Sequence, residues 1–177
     1  MEKLTNNKSI LDWVQTRIDL LQPDKVVWID GSKEQIQALK DEAVSTGEFI
    51  KLNEEKLPDC YFHRTNPNDV ARVEDRTFIC TTKEEDAGPT NNWCAPDEMY
   101  KKLYNIARGS YKGKTMYVIP YSMGPIGSPL AKIGIEVTDS VYVVLNMLIM
   151  TRVGTNVLEA LGDSPDYIKG LHARADI

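Results

Sequence analysis

The residue whose type and setting could do the most specific chemistry is Arg72. It follows the turn-forming run Asn66-Pro67-Asn68-Asp69, in which Pro67 disfavours a helical conformation for Asn66. Arg72 therefore stands where a loop delivers the chain into its next element. A guanidinium presents a planar fork of N–H donors that matches both oxygens of a carboxylate or phosphate. The plainer alternative is an ion pair with Asp69, Glu74 or Asp75. On residue type alone, that alternative is the stronger of the two.

Other chemistries have less support. No GxxxxGK[ST] and no GxGxxG run occurs, so the usual glycine-rich phosphate cradles are missing. Gly124-Pro125-Ile126-Gly127-Ser128 has two glycines but no following lysine and reads as structural support for a site wall. Gly109-Ser110-Tyr111-Lys112-Gly113-Lys114 could touch a phosphate, but a solvated turn is the simpler reading. The two histidines, His63 and His172, lie in different segments with no metal-ligand spacing. His63 reads as a strand residue with a local hydrogen bond. Ser122 and Ser128 have no partner base evident in the sequence, so a nucleophilic triad is not supported. Charge runs such as Glu84-Glu85-Asp86 read as solvated faces. Cys60, Cys80 and Cys94 are odd in number and never at CxxC spacing, which argues against a disulfide framework or a zinc site. Cys80 closes an apolar run and reads as a small core residue.

These residues need a scaffold, and the bulk numbers permit one. The 177 residues suit a single domain covering positions 1–177. The 42% hydrophobic and 27% charged fractions are ordinary for a globular protein. A net charge of −5 argues against nonspecific nucleic-acid binding and polybasic membrane reading. The polar start, Met1 to Ile10, does not read as a signal peptide. The most apolar stretch, Val141 to Met150, is too short to span a bilayer. The chain is expected to be soluble and cytoplasmic.

Periodicity and punctuation predict the elements. Ile10, Leu11, Val14, Ile18 and Leu21 make one face of a first helix, capped by Thr5 or Asn6. Lys25 to Ile29 is a compact apolar strand. Ser32 is an N-cap for a helix with Ile36, Leu39, Ala43 and Val44 inward and Gly47 as its stop. Phe49 to Leu52, Tyr61 to Arg64 and Arg76 to Thr82 read as strands, and Pro96 to Ala107 as a helix. Met116 to Ile119 is an apolar strand that should end at Pro120 and enter a proline- and glycine-locked loop running to Pro129. Ile133 to Thr138 alternates as a strand. For Leu145 to Met150, helix and strand both remain open. The tail from Thr155 to Ile168 suggests one or two short helices. Together these give an α/β fold, a mixed twisted sheet flanked by helices.

Several long runs resemble one family in sequence order. They are Asp69 to Thr77, Glu85 to Trp93, Gly113 to Pro129, Ser128 to Ser140 and Met150 to Gly154. Together they resemble the N-terminal domain of GTP-dependent phosphoenolpyruvate carboxykinase, from about Gln22 to His172. The resemblance implies an incomplete N-terminal substrate-binding domain of a two-domain enzyme. It implies that Arg72 binds the carboxylate end of oxaloacetate or phosphoenolpyruvate, reversing the odds set by residue type. The family's gluconeogenic reaction converts oxaloacetate and GTP to phosphoenolpyruvate, GDP and carbon dioxide with manganese (Mn2+). Its metal-binding lysine, histidine and aspartate, its phosphate loop and its guanine pocket lie C-terminal to the matched region. The expectation is that this chain carries no Mn2+ or GTP ligands and does not turn over alone. Self-association through an exposed apolar face is also expected. The competing reading is a non-catalytic module that binds a dicarboxylate or docks to a partner chain.

Overall fold

The computed structural model describes residues 3–65 and 73–174. Backbone contacts divide the chain into two compact units, residues 1–63 with 109–177, and residues 64–108.

The first unit holds a five-stranded mixed sheet. Helix α1 (Lys8–Leu21) leads into strand β1 (Lys25–Trp28) and helix α2 (Lys33–Ser45). A small antiparallel ladder follows, β2 (Ile50–Lys51) with β3 (Tyr61–Phe62). In the second unit, β4 (Phe78–Ile79) pairs in parallel with β5 (Asn92–Trp93), ahead of helix α3 (Pro96–Ala107). The chain then returns to the first unit with β6 (Thr115–Met123), β7 (Lys132–Thr138), α4 (Val141–Met150), β8 (Arg152–Val153), α5 (Thr155–Leu161) and β9 (Ile168–His172). The α/β class and the mixed sheet read from the sequence are both present.

Strand β6 is the spine. Along one edge it pairs antiparallel with β7, which in turn pairs parallel with β9. Along the other edge it pairs first with β1 in parallel, up to Trp28 opposite Val118. It then pairs with β8 in antiparallel sense, beginning at Tyr121 opposite Val153. The strand does not end at Pro120, as the sequence suggests, but runs through it to Met123. The reason is local. A residue's N–H and C=O point to the same strand edge, and the Pro120 carbonyl accepts from Gly154 N at 3.2 Å. The donor that proline lacks would therefore face the join between β1 and β8, where no ladder bond is required.

That join is closed by two glycines. Thr155 N donates to the Asp30 carbonyl at 3.2 Å, so the turn after β1 crosses the start of α5 backbone to backbone. A Cβ at Gly154 would lie 2.4 Å from the Asp30 oxygen, and one at Gly31 would lie 2.5 Å from the Val153 oxygen. The turn is braced by Gln35, which accepts from Asp30 N and donates to the Trp28 carbonyl, both at 2.8 Å. Ser32 caps α2 by accepting from Gln35 N.

The core on one sheet face joins Tyr117 and Ile119 of β6 to Leu39 and Ala43 of α2 and Val141, Val144 and Leu145 of α4. The spacing of those three α4 residues settles the segment left open by periodicity. Ser140 caps it by accepting from Val143 N, and burial at helical spacing outweighs the strand preference of its valines. Three further differences stand out. The cap of α1 is Asn7, whose amide also donates to the carbonyls of Gly162 and Ser164. Cys80 is exposed, just past the end of β4 in a two-stranded ladder rather than in the five-stranded sheet. The tail after α5 is strand β9, since β7 offers it an open edge.

Replacing Gly154 by alanine tests the crossing. Its φ of 132° lies where only glycine is at ease, and the new methyl group meets immovable backbone. The expected cost is about 3 kcal/mol, or a melting temperature lower by about 10 °C. Gly47→Ala, with a φ of 76° and nothing within 4 Å, should cost about 1 kcal/mol. Equal thermal melts for the two variants would refute the crossing as a constraint.

Candidate functional site

Arg72 and the turn from Asn66 to Asp69 lie outside the described residues. The chain that leaves Arg72 is described and well anchored. Glu74–Arg76 forms an exposed 3-10 turn, and Thr77 Oγ1 donates to the Val73 carbonyl at 2.8 Å. The Asn92 amide donates to the carbonyls of Glu74 at 2.6 Å and Thr77 at 3.1 Å. Trp93 Nε1 donates to the Thr81 carbonyl at 2.9 Å. One asparagine thus ties the Arg72-following segment to the end of the Glu85 to Trp93 run. These two runs, separate in the sequence, form one piece of structure. Arg76 lies 3.9 Å from Asp75, and both are exposed, so this ion pair adds little stability.

In the first unit, the proline- and glycine-rich run forms the connection between β6 and β7. Gly124 and Gly127 take φ values of 95° and 84°. The loop is closed by Ser128 N donating to the Pro125 carbonyl and Ala131 N donating to the Ser128 carbonyl, both at 3.1 Å. Leu130 is 87% exposed at its rim. Ser122 is buried and its hydroxyl donates to the Gly124 carbonyl. Ser128 Oγ accepts from Leu130 N. Both hydroxyls therefore serve the loop's own shape.

Strand β7 carries a group that the sequence reading did not single out. Glu136 on β7 sits opposite Ile119 of β6 and Gly170 of β9. A Cβ at Gly170 would lie 1.7 Å from Glu136 Oε2, so the carboxyl rests over a glycine backbone. The Tyr121 ring similarly covers Gly134, where a Cβ would come within 2.5 Å of it. Burial pushes the Glu136 carboxyl up to about 7. The Tyr121 hydroxyl is raised first by burial and then by the Glu136 charge. The available signal was an acid at an alternating position among Ile133, Ile135 and Val137. Only the register with β9 brings Gly170 beside it.

The remaining candidates are structural. The Gly109 to Lys114 segment is a turn, fastened by Gly109 N to the Leu20 carbonyl and Gly113 N to Asp24 Oδ1. Lys114 Nζ reaches the fully buried side chain of Asp139 at 2.6 Å. His172 Nδ1 meets Thr138 Oγ1 at 2.9 Å, and burial lowers its pKa, with Asp139 acting in the opposite direction. His63 follows β3, and its Nδ1 meets the Glu48 carbonyl at 2.7 Å, a bond across fifteen positions rather than a local one. Among the described residues, no three His, Cys, Asp or Glu side chains assemble into a metal-binding group. Among them, too, no helix is long and apolar enough to cross a membrane.

Comparison with known proteins agrees in one direction. The family described as "Phosphoenolpyruvate carboxykinase N-terminal domain" matches residues 12–177. A protein of Anaeromyxobacter dehalogenans named phosphoenolpyruvate carboxykinase [GTP] is 54% identical over 172 residues, covering 97% of this chain and 29% of its own length. Proteins of the same name from Corynebacterium efficiens and Corynebacterium kroppenstedtii are 48% and 53% identical, covering 97% and 96% of this chain. The chain spans less than a third of the length of these relatives.

Glu136 yields a signed pH dependence. Its folded value lies above its ordinary 4.5. Between about pH 4.5 and about pH 7 the folded chain keeps a proton that the unfolded chain has released. The stabilisation is therefore complete below this window and is lost as pH rises through it. Thermal melts of Glu136→Gln should show a flatter decline across the window than the native chain. An identical decline in both would remove Glu136 as the cause.

Proposed function

The chain belongs to the phosphoenolpyruvate carboxykinase N-terminal domain family, and from that premise we propose that it holds the organic acid in a GTP-dependent phosphoenolpyruvate carboxykinase. The proposed ligand is oxaloacetate or phosphoenolpyruvate, and the proposed binding residue is Arg72. What carries this reading is about half identity along nearly the whole chain to proteins of that name. The Asn92 clamp supports it, because a fixed exit from Arg72 lowers the entropy lost when its guanidinium is ordered on a ligand.

The work assigned to this chain is binding and orientation. Two parallel N–H···O bonds from Arg72 would hold one carboxylate and fix the direction in which the rest of the acid points. In the whole enzyme, loss of carbon dioxide from oxaloacetate leaves an enolate whose oxygen takes the terminal phosphoryl group of GTP. Restricting the acid's rotation before these steps lowers the barrier that orientation would otherwise impose. Among the described residues no three His, Cys, Asp or Glu side chains assemble into a metal-binding group, and the role proposed for the chain is confined to holding the acid.

Oxalate and phosphoenolpyruvate are the direct probes. The native chain should show weak, saturable binding to each by calorimetry. Arg72→Ala should weaken it about tenfold to a hundredfold, and Arg72→Lys should restore only part, since an ammonium lacks the planar fork. Equal binding by native and alanine chains would take Arg72 out of the site.

The first unit exposes Met123, Leu130, Ile149, Met150 and Ile168 by half or more. Such apolar surface supports self-association of this chain. Sedimentation velocity should show species larger than a monomer that grow with concentration. A single monomeric boundary throughout would rule this out.

A further inference from the structure

We propose that the first unit carries a second binding site, independent of Arg72, for a small planar aromatic monocarboxylate. The site is a cavity of about 520 Å³ between α2, α4 and the β2–β3 ladder. That volume falls within the ordinary range for small-molecule sites.

Its lining has two chemistries. One part is aromatic. The His63 and Tyr142 rings stack with centroids 4.1 Å apart and planes 28° apart. Phe49 meets Tyr142 edge-on at 6.1 Å and leans on Tyr61 at 5.6 Å. The bond from His63 Nδ1 to the Glu48 carbonyl places the proton on that nitrogen, because a carbonyl can only accept. That bond holds the ring in one orientation. With the aliphatic carbons of Leu145 and Ile149, these rings form walls suited to a flat apolar body.

The other part is cationic: Lys40 is the one Lys or Arg among the described lining residues. Lys40 Nζ lies 2.7 Å and 2.8 Å from the two oxygens of Asp59 and 5.4 Å from the Tyr61 ring centroid. The Lys40 side chain is 21% exposed, whereas that of Asp59 is 69% exposed. An ion pair with so exposed a partner is weak, because water screens it. A ligand carboxylate can therefore share or take over the ammonium at small cost. Asp59 stays nearby as a negative group, with the Lys51–Glu54 ion pair next to it, so two ammoniums balanced by two carboxylates leave no net positive charge, which suits a monoanion and disfavours a phosphate dianion. Asp59 is also held at a φ of 56°, a left-handed conformation that presents its carboxylate at this rim.

The test uses indole-3-acetate as the probe on the full chain, followed through the His63 ring signals by NMR. Saturable shifts are expected. Lys40→Met should weaken binding at least about fivefold by removing the charge while keeping the stem. Ile149→Glu, at a position 81% exposed and so tolerant of change, should weaken it comparably by placing a like charge at the mouth. Oxalate should leave the His63 signals in place. The proposal is overturned if no saturable shift appears up to about 10 mM probe. It is equally overturned if both folded variants bind as well as the native chain, or if oxalate moves the same signals with equal affinity. Arg72→Ala should leave indole-3-acetate binding unchanged, so this site and the Arg72 site can fail separately.

Discussion

The first unit depends on one strand edge that must serve two neighbours. Along β6, the parallel partner β1 ends and the antiparallel partner β8 begins within a few residues. A continuous ladder cannot change partner and direction without a break in donor demand. Pro120 supplies that break, since it has no N–H to satisfy, while its carbonyl is still taken by Gly154. The two incoming segments must also pass at backbone contact distance, and Gly31 and Gly154 leave the space for them. The proline and the glycines are thus parts of one solution. With the hand-over in place, β6 runs nine residues and carries its far end into the Gly124 to Ala131 loop.

The same sheet explains why polar groups are buried near its far edge. Asp139 follows β7, and its carboxylate accepts from Lys114 Nζ and from the backbone N of Arg174. Lys114 Nζ also donates to the Arg174 carbonyl, and Tyr111 donates its hydroxyl proton to the His172 carbonyl. The chain after β9 is thereby fastened to the turn before β6. A buried carboxylate with this many donors is tolerated, whereas an unpaired one would be strongly destabilising. Glu136 is the contrasting case on the same strand. It faces glycine backbone rather than a cation, and so its proton is held more tightly.

Function divides along similar lines. The second unit gives the chain leaving Arg72 a fixed anchor through Asn92. The first unit supplies a shaped loop, a buried carboxyl and an aromatic cavity of its own. Binding of an organic acid needs only a positioned fork of donors. Phosphoryl transfer also needs concentrated positive charge and a phosphate cradle.

Much of this was legible in the residues themselves. The cap at Ser32, the stop at Gly47 and the helix from Pro96 to Ala107 follow from local chemistry acting over three or four positions. The family could be read from long ordered runs, and it is the family rather than residue type that singles out Arg72 as a proposed binding residue. What the sequence could not settle involves contacts between distant positions. The passage of β6 through Pro120 depends on which strands flank it. The β9 strand depends on the free edge of β7. The exposure of Cys80 depends on β4 pairing in a small two-stranded ladder rather than in the main sheet. The setting of Glu136 and the stacking of His63 on Tyr142 arise only when segments far apart in sequence are brought side by side. Local preferences are encoded by neighbouring residues, but strand register and burial are decided by long-range packing, and tertiary structure alone determines them.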